Sequence, residues 1–384
     1  MPRVSRYRWL VLAAGTAAQT SFSAVLIGLP VLAPDIRNEY DLSLFGVGLA
    51  LDAFWVGTFL TLLLWGLLAD RAGERLVLTV GLAGCGVALM AAAHASEFVL
   101  FFVLLALAGA AGASVNAASG RAVMYWFRAE ERGLALGLRQ TAIPLGGLIA
   151  AVALPPLGLR SGLLLLAGLC VAGAIFGAIV IHEPEAAEDV LEPRRLGATL
   201  RDSRLWFLCG GSSFYLVAQV AITGFVVLFL YDEHGFSSGE AAAVLAAIQV
   251  LAVGLRIGGG RWSDLIGSRL RPLRLVGLAS SASLAVTAVL LDAPIALVVA
   301  AFVVAGGFSM GWNGLSFTLA AELAGRARSG AALGMQQTAL AAAGATVPPA
   351  FAGVVDVSSW RVGFGLAAVF PLVGVLLLRP LRSG

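Results

Sequence analysis

An all-α membrane protein of twelve spanning helices, arranged as two pseudo-symmetric six-helix bundles, is the fold this sequence predicts. Three observations carry that expectation. Of the 384 residues, 59% are hydrophobic and only 12% charged, against about 25% charged in soluble domains. Too few ionised groups remain to cover a water-facing surface. Apolar stretches of about 20 residues, the length a helix needs to cross a bilayer, recur twelve times along the chain. A set of polar and glycine positions in the first half also returns in the second at nearly constant spacing. Soluble enzymes, nucleic-acid binders and disordered hubs are excluded, although a net charge of +3 would otherwise suggest a polyanionic partner.

Cutting the chain at charge clusters and at proline and glycine turns gives the spans in order. The first six run near 9–33, 43–69, 76–94, 98–123, 133–154 and 161–181. The second six run near 205–230, 238–262, 273–291, 295–320, 330–351 and 360–379. Several exceed 25 residues, which permits tilt but fixes no angle. The N-terminus runs from Met1-Pro2-Arg3 into the first stretch without a short apolar region and cleavage site, so that stretch reads as a retained helix.

Arginine placement then sets the topology. The chain has no lysine, so all 25 basic residues are arginine. Twenty of them lie at the two termini and in one alternate set of loops: Arg3, Arg6 and Arg8, then Arg71 and Arg75, then Arg121, Arg128 and Arg132. The set continues with Arg194, Arg195, Arg201 and Arg204, with Arg261, Arg269, Arg271 and Arg274, and with Arg326, Arg328, Arg379 and Arg382. The opposite loops hold only Arg37, Arg160 and Arg361, and two more, Arg139 and Arg256, fall inside spans. The excess of positive charge on the cytoplasmic side predicts cytoplasmic N- and C-termini in a multi-pass protein of the cell's inner (plasma) membrane.

The one long connection, residues 182–204, carries Glu183, Glu185, Glu188, Asp189 and Glu192 ahead of its arginines. It reads as a cytoplasmic linker between an N-terminal bundle (1–181) and a C-terminal bundle (205–384). Leu191, Leu196 and Leu200 would let part of it form a short amphipathic helix on the membrane surface. Cys85, Cys170 and Cys209 stand separately in apolar runs, which suits neither a disulfide framework nor a zinc site. No metal, cofactor or nucleic-acid partner is predicted, and the chain is expected to be a monomer.

The internal repeat is specific. Gly133-Leu-Ala-Leu-Gly137-Leu-Arg139-Gln140-Thr141-Ala142 returns as Gly330-Ala-Ala-Leu-Gly334-Met-Gln336-Gln337-Thr338-Ala339, an offset of 197 that also carries Asn116 onto Asn313 and Gly109 onto Gly306. Gly66-Leu-Leu-Ala-Asp70-Arg71-Ala-Gly73-Glu-Arg75 returns as Gly260-Arg-Trp-Ser-Asp264-Leu-Ile-Gly267-Ser-Arg269, an offset of 194. The two halves therefore read as parallel repeats. The glycine pairs Gly133/Gly137 and Gly330/Gly334 read as close helix packing.

With the segment Gly66–Arg75 between spans 2 and 3 of a twelve-span chain, the sequence resembles the major facilitator superfamily over its whole length. The resemblance implies two bundles around a central cavity, a small-molecule substrate, and passage through the lipid bilayer by alternating access. It implies that spans 1, 4, 7 and 10 line the cavity, while spans 2, 5, 8 and 11 form the contact between bundles. In the signature loop, Gly66 and Gly73 permit a tight turn. Asp70 can sit at the positive N-terminus of span 11, and Arg71 and Arg75 can pair with nearby acids. The loop reads as a conformational latch, with Asp264 its counterpart in the second half.

Ionisable groups inside spans mark candidate sites, because burying them is costly. Arg139 lies about 10 Å and Arg256 about 12 Å from the cytoplasmic face at 1.5 Å of rise per residue. Two guanidinium groups at similar depth, with no acid near them in sequence on either span, suit a bound anion. The alternative is that they snorkel to the membrane edge or bond backbone carbonyls. The run Arg256-Ile-Gly-Gly-Gly-Arg-Trp-Ser-Asp264 resembles the corresponding stretch of the cyanate and nitrate/nitrite porter branch, although span 5 lacks the glycine-rich nitrate signature. Asn116, Gln140, Asn313 and Gln337 share one depth and form a candidate ring of carboxamides able to donate and accept. Gln19 and Gln219 add polar groups on spans 1 and 7, and Trp312, Tyr215 and Trp55 are candidate aromatic walls.

For a co-transported proton the candidates are Asp52, expected to be solvated near the outer end of span 2, and Glu322 at the inner end of span 10. The expected function is therefore secondary transport of a small organic or inorganic anion. A proton-coupled multidrug efflux antiporter is the alternative: Ile143-Pro144-Leu-Gly146-Gly147 keeps part of the efflux pattern, but a mid-membrane acid for cationic drugs is missing. An enzyme is not expected, since no nucleophile–base pair or phosphate loop is present.

Overall fold

The computed structural model describes residues 7–127, 135, 138–181, 193–325 and 328–381, without the side chains of 70, 120–125 and 193–196. Span 1 is helix α1 (Tyr7–Val31), followed by a short helix α2 (Ala33–Tyr40). Spans 2 and 3 are α3 (Leu44–Ala72) and α4 (Glu74–Ala92). Span 4 is broken into α5 (Phe98–Gly112) and α6 (Ser114–Trp126). Span 5 is described from Leu138, with α7 (Ala142–Ala153) after a turn at Thr141, and span 6 is α8 (Gly158–Val180). The linker contributes α9 (Pro193–Leu200).

In the second half, spans 7, 8 and 9 are α10 (Ser203–His234), α11 (Ser238–Leu265) and α12 (Leu270–Leu290). Span 10 is broken into α13 (Ile295–Met310) and α14 (Asn313–Ala324). Span 11 is broken into α15 (Ser329–Gly344) and α16 (Val347–Val357), and span 12 is α17 (Trp360–Leu377). Eleven of the spans are long and apolar enough to cross a membrane, and Leu138–Ala153 supplies the shorter span 5. Its expected start at 133, and Gly133 and Gly137, lie outside the described residues.

The repeat read from sequence is a repeat of packing. Spans 1·5, 1·6, 2·4, 3·4 and 3·6 pack in the first half, and 7·11, 7·12, 8·10, 9·10 and 9·12 pack in the second. Spans 2·11, 5·8 and 1·7 join the bundles. The turns after spans 2 and 8 also match: Gly73 and Gly267 both have positive φ, 82° and 62°, where a side chain would be strained. Spans 2 and 4 approach so closely that a Cβ on Gly109 would stand 2.0 Å from the Phe54 carbonyl oxygen, and one on Gly57 1.8 Å from that of Ala106. Cys85 and Cys170 fill the N-terminal bundle as buried free thiols, 3.8 Å apart, and Cys209 is buried in the second half.

Among the described residues, the bundles converge at one end and part at the other. At the end away from the termini, Arg37 of α2 pairs with Asp232 of α10, and the N–H of Phe45 donates to Asp356 Oδ2 at 2.8 Å. Gly48 lies there under the Pro348 carbonyl and the Ala352 methyl group. At the terminal end, the described ion pairs Arg269–Asp264, Arg269–Glu322, Arg204–Asp202 and Arg328–Asp202 all stay within the second half. A Cβ on Gly66, Gly330 or Gly334 would meet nothing within 4 Å. Gly330 and Gly334 are thus not sites of close packing among the described residues, contrary to expectation, because their faces meet open space rather than a neighbouring helix.

Candidate functional site

Broken helices build the centre of the molecule. Each break frees carbonyl oxygens that a continuous helix would use, and at two of the breaks a freed carbonyl accepts from a side chain of a neighbouring span. At the end of α5, the Ala110 carbonyl accepts from Thr61 Oγ1 at 2.7 Å and Trp65 Nε1 at 2.6 Å. At the end of α13, the Met310 carbonyl accepts from Arg256 Nε at 2.9 Å. Arg256 Nη1 donates to the Gln140 carbonyl at the span 5 turn, 2.7 Å away, and Nη2 to Asn313 Oδ1 at 2.7 Å. The negative ends of broken helices are a favourable place for a cation without an acid. Arg256 therefore ties span 8 to span 10 in its own bundle and to span 5 in the other. Seven residues earlier on span 8, buried Gln249 lies over Gly147 of span 5, with neither amide atom partnered.

Arg139 is held differently. Its Nη1 donates to Gln19 Oε1 and to Ser119 Oγ, both at 3.0 Å, while Nε is buried without a partner. The second half repeats this node with a neutral side chain. Gln336 Nε2 donates to Ser316 Oγ at 2.5 Å and Ser212 Oγ at 3.2 Å. Ser316 stands 197 residues after Ser119, and Gln336 197 after Arg139. In each bundle the node joins the first, fourth and fifth spans, and only the N-terminal one is charged.

A cavity of about 80 Å³ lies between the bundles, below the roughly 300–1,000 Å³ of drug-sized pockets. Arg139 supplies the charge on its described lining, beside all four equal-depth carboxamides, Asn116, Gln140, Asn313 and Gln337. Gln19, Gln219 and Trp55 also line it. Ser23 and Gln219 are lining residues, and Ser23 Oγ and Gln219 Oε1 are buried without a partner.

Other expected residues lie elsewhere. Trp312 and Tyr215 are not walls of this cavity: they pack edge-on inside the second bundle, and Tyr215 Oη donates to the Leu273 carbonyl. Arg256 is buried outside the lining. Asp52 is only 6% exposed, not solvated as expected, because span 11 covers it. It shares a helix face with Gly48 and Trp55, which lie against Pro348 and Gly344 of that span. Its Oδ1 has no partner. Glu322 and Asp264 both pair with Arg269 at the terminal end. Arg71 and Arg75 are exposed, and the Asp70 side chain lies outside those described.

Ser119, Ser316, Ser212 and Gln249 were not singled out in sequence. The offset of 197 links Ser119 to Ser316 and would have found that pair. Arg37–Asp232 carries no such signal.

The family model described as Major Facilitator Superfamily matches residues 11–348. An uncharacterized MFS-type transporter of Mycobacterium tuberculosis is 32% identical over 380 residues, covering 98% of this chain and 85% of that protein. A probable sulfoacetate transporter of Cupriavidus necator is 26% identical, covering 91% and 88%. Among solved structures, a bacterial homolog of the human lysosomal transporter Spinster, described as inward-facing and occupied, superposes with a TM-score of 0.77 at 16% identity. It covers 97% of this chain and 96% of that one.

Proposed function

The chain belongs to the Major Facilitator Superfamily, and from that premise we propose that it carries a small organic or inorganic anion, with Arg139 receiving the charge. One observation supports this above all: Arg139 is a buried cation on the cavity wall, bonded only to neutral groups, with a donor left over. An unpaired charge in a membrane interior is expensive, and an entering anion supplies the missing partner. The carboxamides around it can orient an oxyanion or its substituents. The organic anion in the printed name of the Cupriavidus relative is of the same chemical class. A cationic drug would meet Arg139 and no described acid on the lining, which disfavours the efflux alternative. The span 8 likeness to nitrate porters has less weight, since Arg256 is occupied by carbonyls.

In this reading the arginine-rich end is cytoplasmic, so the present state is closed outside and parts inside. Residues 1–181 and 205–384 rock about the span 2·11 and 5·8 seams, joined by the linker 182–204, and Asp70 latches the inner side in the opposite state. Asp52, buried against span 11, is the candidate carrier of a co-transported proton. The test is uptake of labelled anions into proteoliposomes, with and without a pH gradient. Wild-type uptake that Arg139→Gln abolishes supports the reading. Transport of lipophilic cations alone, indifferent to Arg139, removes it.

A further inference from the structure

We infer that the substrate is a monoanion bound in one orientation, its charged head at Arg139 on the N-terminal bundle and its uncharged, hydrogen-donating body against the C-terminal bundle. This rests on the anion reading above and narrows it.

The repeat places a node at the same point of each bundle, and one node holds a guanidinium while the other holds the Gln336 amide. Arg256, the other arginine read as lying within the membrane, has three donors bonded to the Met310 and Gln140 carbonyls and Asn313 Oδ1, and it stands off the described cavity lining. The described lining thus offers one cation. A second negative charge on the substrate would be desolvated among neutral amides with nothing to compensate it, which is prohibitive in a low-dielectric site.

Orientation follows from the unmatched atoms. On the N-terminal side the unpartnered groups are a donor at the node, Arg139 Nε, and the Ser23 hydroxyl, which can donate as well; both suit an acceptor such as a carboxylate oxygen. On the C-terminal side Gln219, a lining residue, has its amide acceptor Oε1 buried without a partner, which calls for a hydroxyl or N–H. A molecule satisfying both has an anionic end and a donor end, and the small cavity keeps it short.

The test uses the purified full-length chain in detergent and in proteoliposomes. Probes are monocarboxylates of two to six carbons, each as a set of four: the hydroxy acid, the unsubstituted acid, the dicarboxylate and the hydroxy amide, beginning with glycolate, acetate, malonate and glycolamide. Binding is read as thermal stabilisation and transport as competition against the best hydroxy acid. The expected order puts the hydroxy acid first, the unsubstituted acid several-fold weaker, and the dicarboxylate and amide at least tenfold weaker. Gln219→Leu should weaken the hydroxy acid several-fold more than the unsubstituted acid, bringing the two to one level.

A dicarboxylate that binds as well as the hydroxy acid, while Arg139→Gln abolishes both, overturns the single-charge inference and leaves the anion reading standing. Gln219→Leu weakening both acids equally overturns the orientation. If the amide binds as well as the acid and Arg139→Gln changes nothing, the anion reading itself is lost.

Discussion

Arg139 and Gln336 occupy the same place in the two halves of the molecule. Each reaches back to a serine on the broken helix before it, Arg139 Nη1 to Ser119 Oγ at 3.0 Å and Gln336 Nε2 to Ser316 Oγ at 2.5 Å. The fold therefore supplies its own control, because an amide already performs the structural task at that position. Arg139→Gln is predicted to insert and fold, with a melting temperature within a few degrees of wild type. Gln can keep the Ser119 bond, and loss of the charged donor to Gln19, about 1.5–3 kcal/mol, is offset by removal of a buried unpaired charge. Circular dichroism melting and size-exclusion profiles check this. Loss of the folded peak would show that the charge is structural.

Arg256 is predicted to hold the present state closed at the outer end. Arg256→Gln removes a charged donor from the Gln140 carbonyl across the seam, a bond of about 1.5–3 kcal/mol. The equilibrium should move at least tenfold toward the outward-open state. Spin labels at exposed Glu39 and Glu233, across the outer end, would report a longer distance population. An unchanged distribution would limit Arg256 to packing within its own bundle.

Two glycines separate state from stability. A Cβ on Gly109 would run into the Phe54 carbonyl, whereas one on Gly334 meets open space. Gly109→Ala should destabilise by about 1–3 kcal/mol or more, as overpacking does. Gly334→Leu should leave stability unchanged and lower turnover at least tenfold, by blocking approach of spans 2 and 11 at the inner end. Thermal melts and transport assays on both variants check the pair. Normal turnover in Gly334→Leu would mean that the inner end closes without burying this position.

Asp52 gives the test of coupling. Its carboxyl is buried without a partner for Oδ1, so the isosteric neutral amide should be accommodated. Asp52→Asn is predicted to keep substrate exchange but lose the dependence of net uptake on a pH gradient. Retained pH dependence would move the proton site elsewhere.

Much of this architecture was legible in the chain. Apolar run length and arginine spacing located the spans, and the offset of 197 identified Asn116, Gln140, Asn313 and Gln337, which do line one cavity. Helix breaks were less legible. Those after Gly112, Met310 and Gly344 lie inside continuous apolar runs, and only the Pro348-Pro349 pair marks one of them. Without the breaks, the carbonyl ligands of Arg256 could not be foreseen. Trp312 and Tyr215 were misjudged for a related reason: composition places an aromatic on a cavity-lining span but not on which face. Asp52 was misplaced because depth along a helix says nothing about the neighbour that covers it, here span 11.

The proposed anion transport depends most on the charge at Arg139 being the substrate's partner. The direct measurement is counterflow of a labelled anion in proteoliposomes, which needs no driving ion, comparing wild type with Arg139→Gln at equal insertion. The prediction is a loss of at least tenfold in the variant, with its folding intact. Counterflow at wild-type level in Arg139→Gln would contradict it.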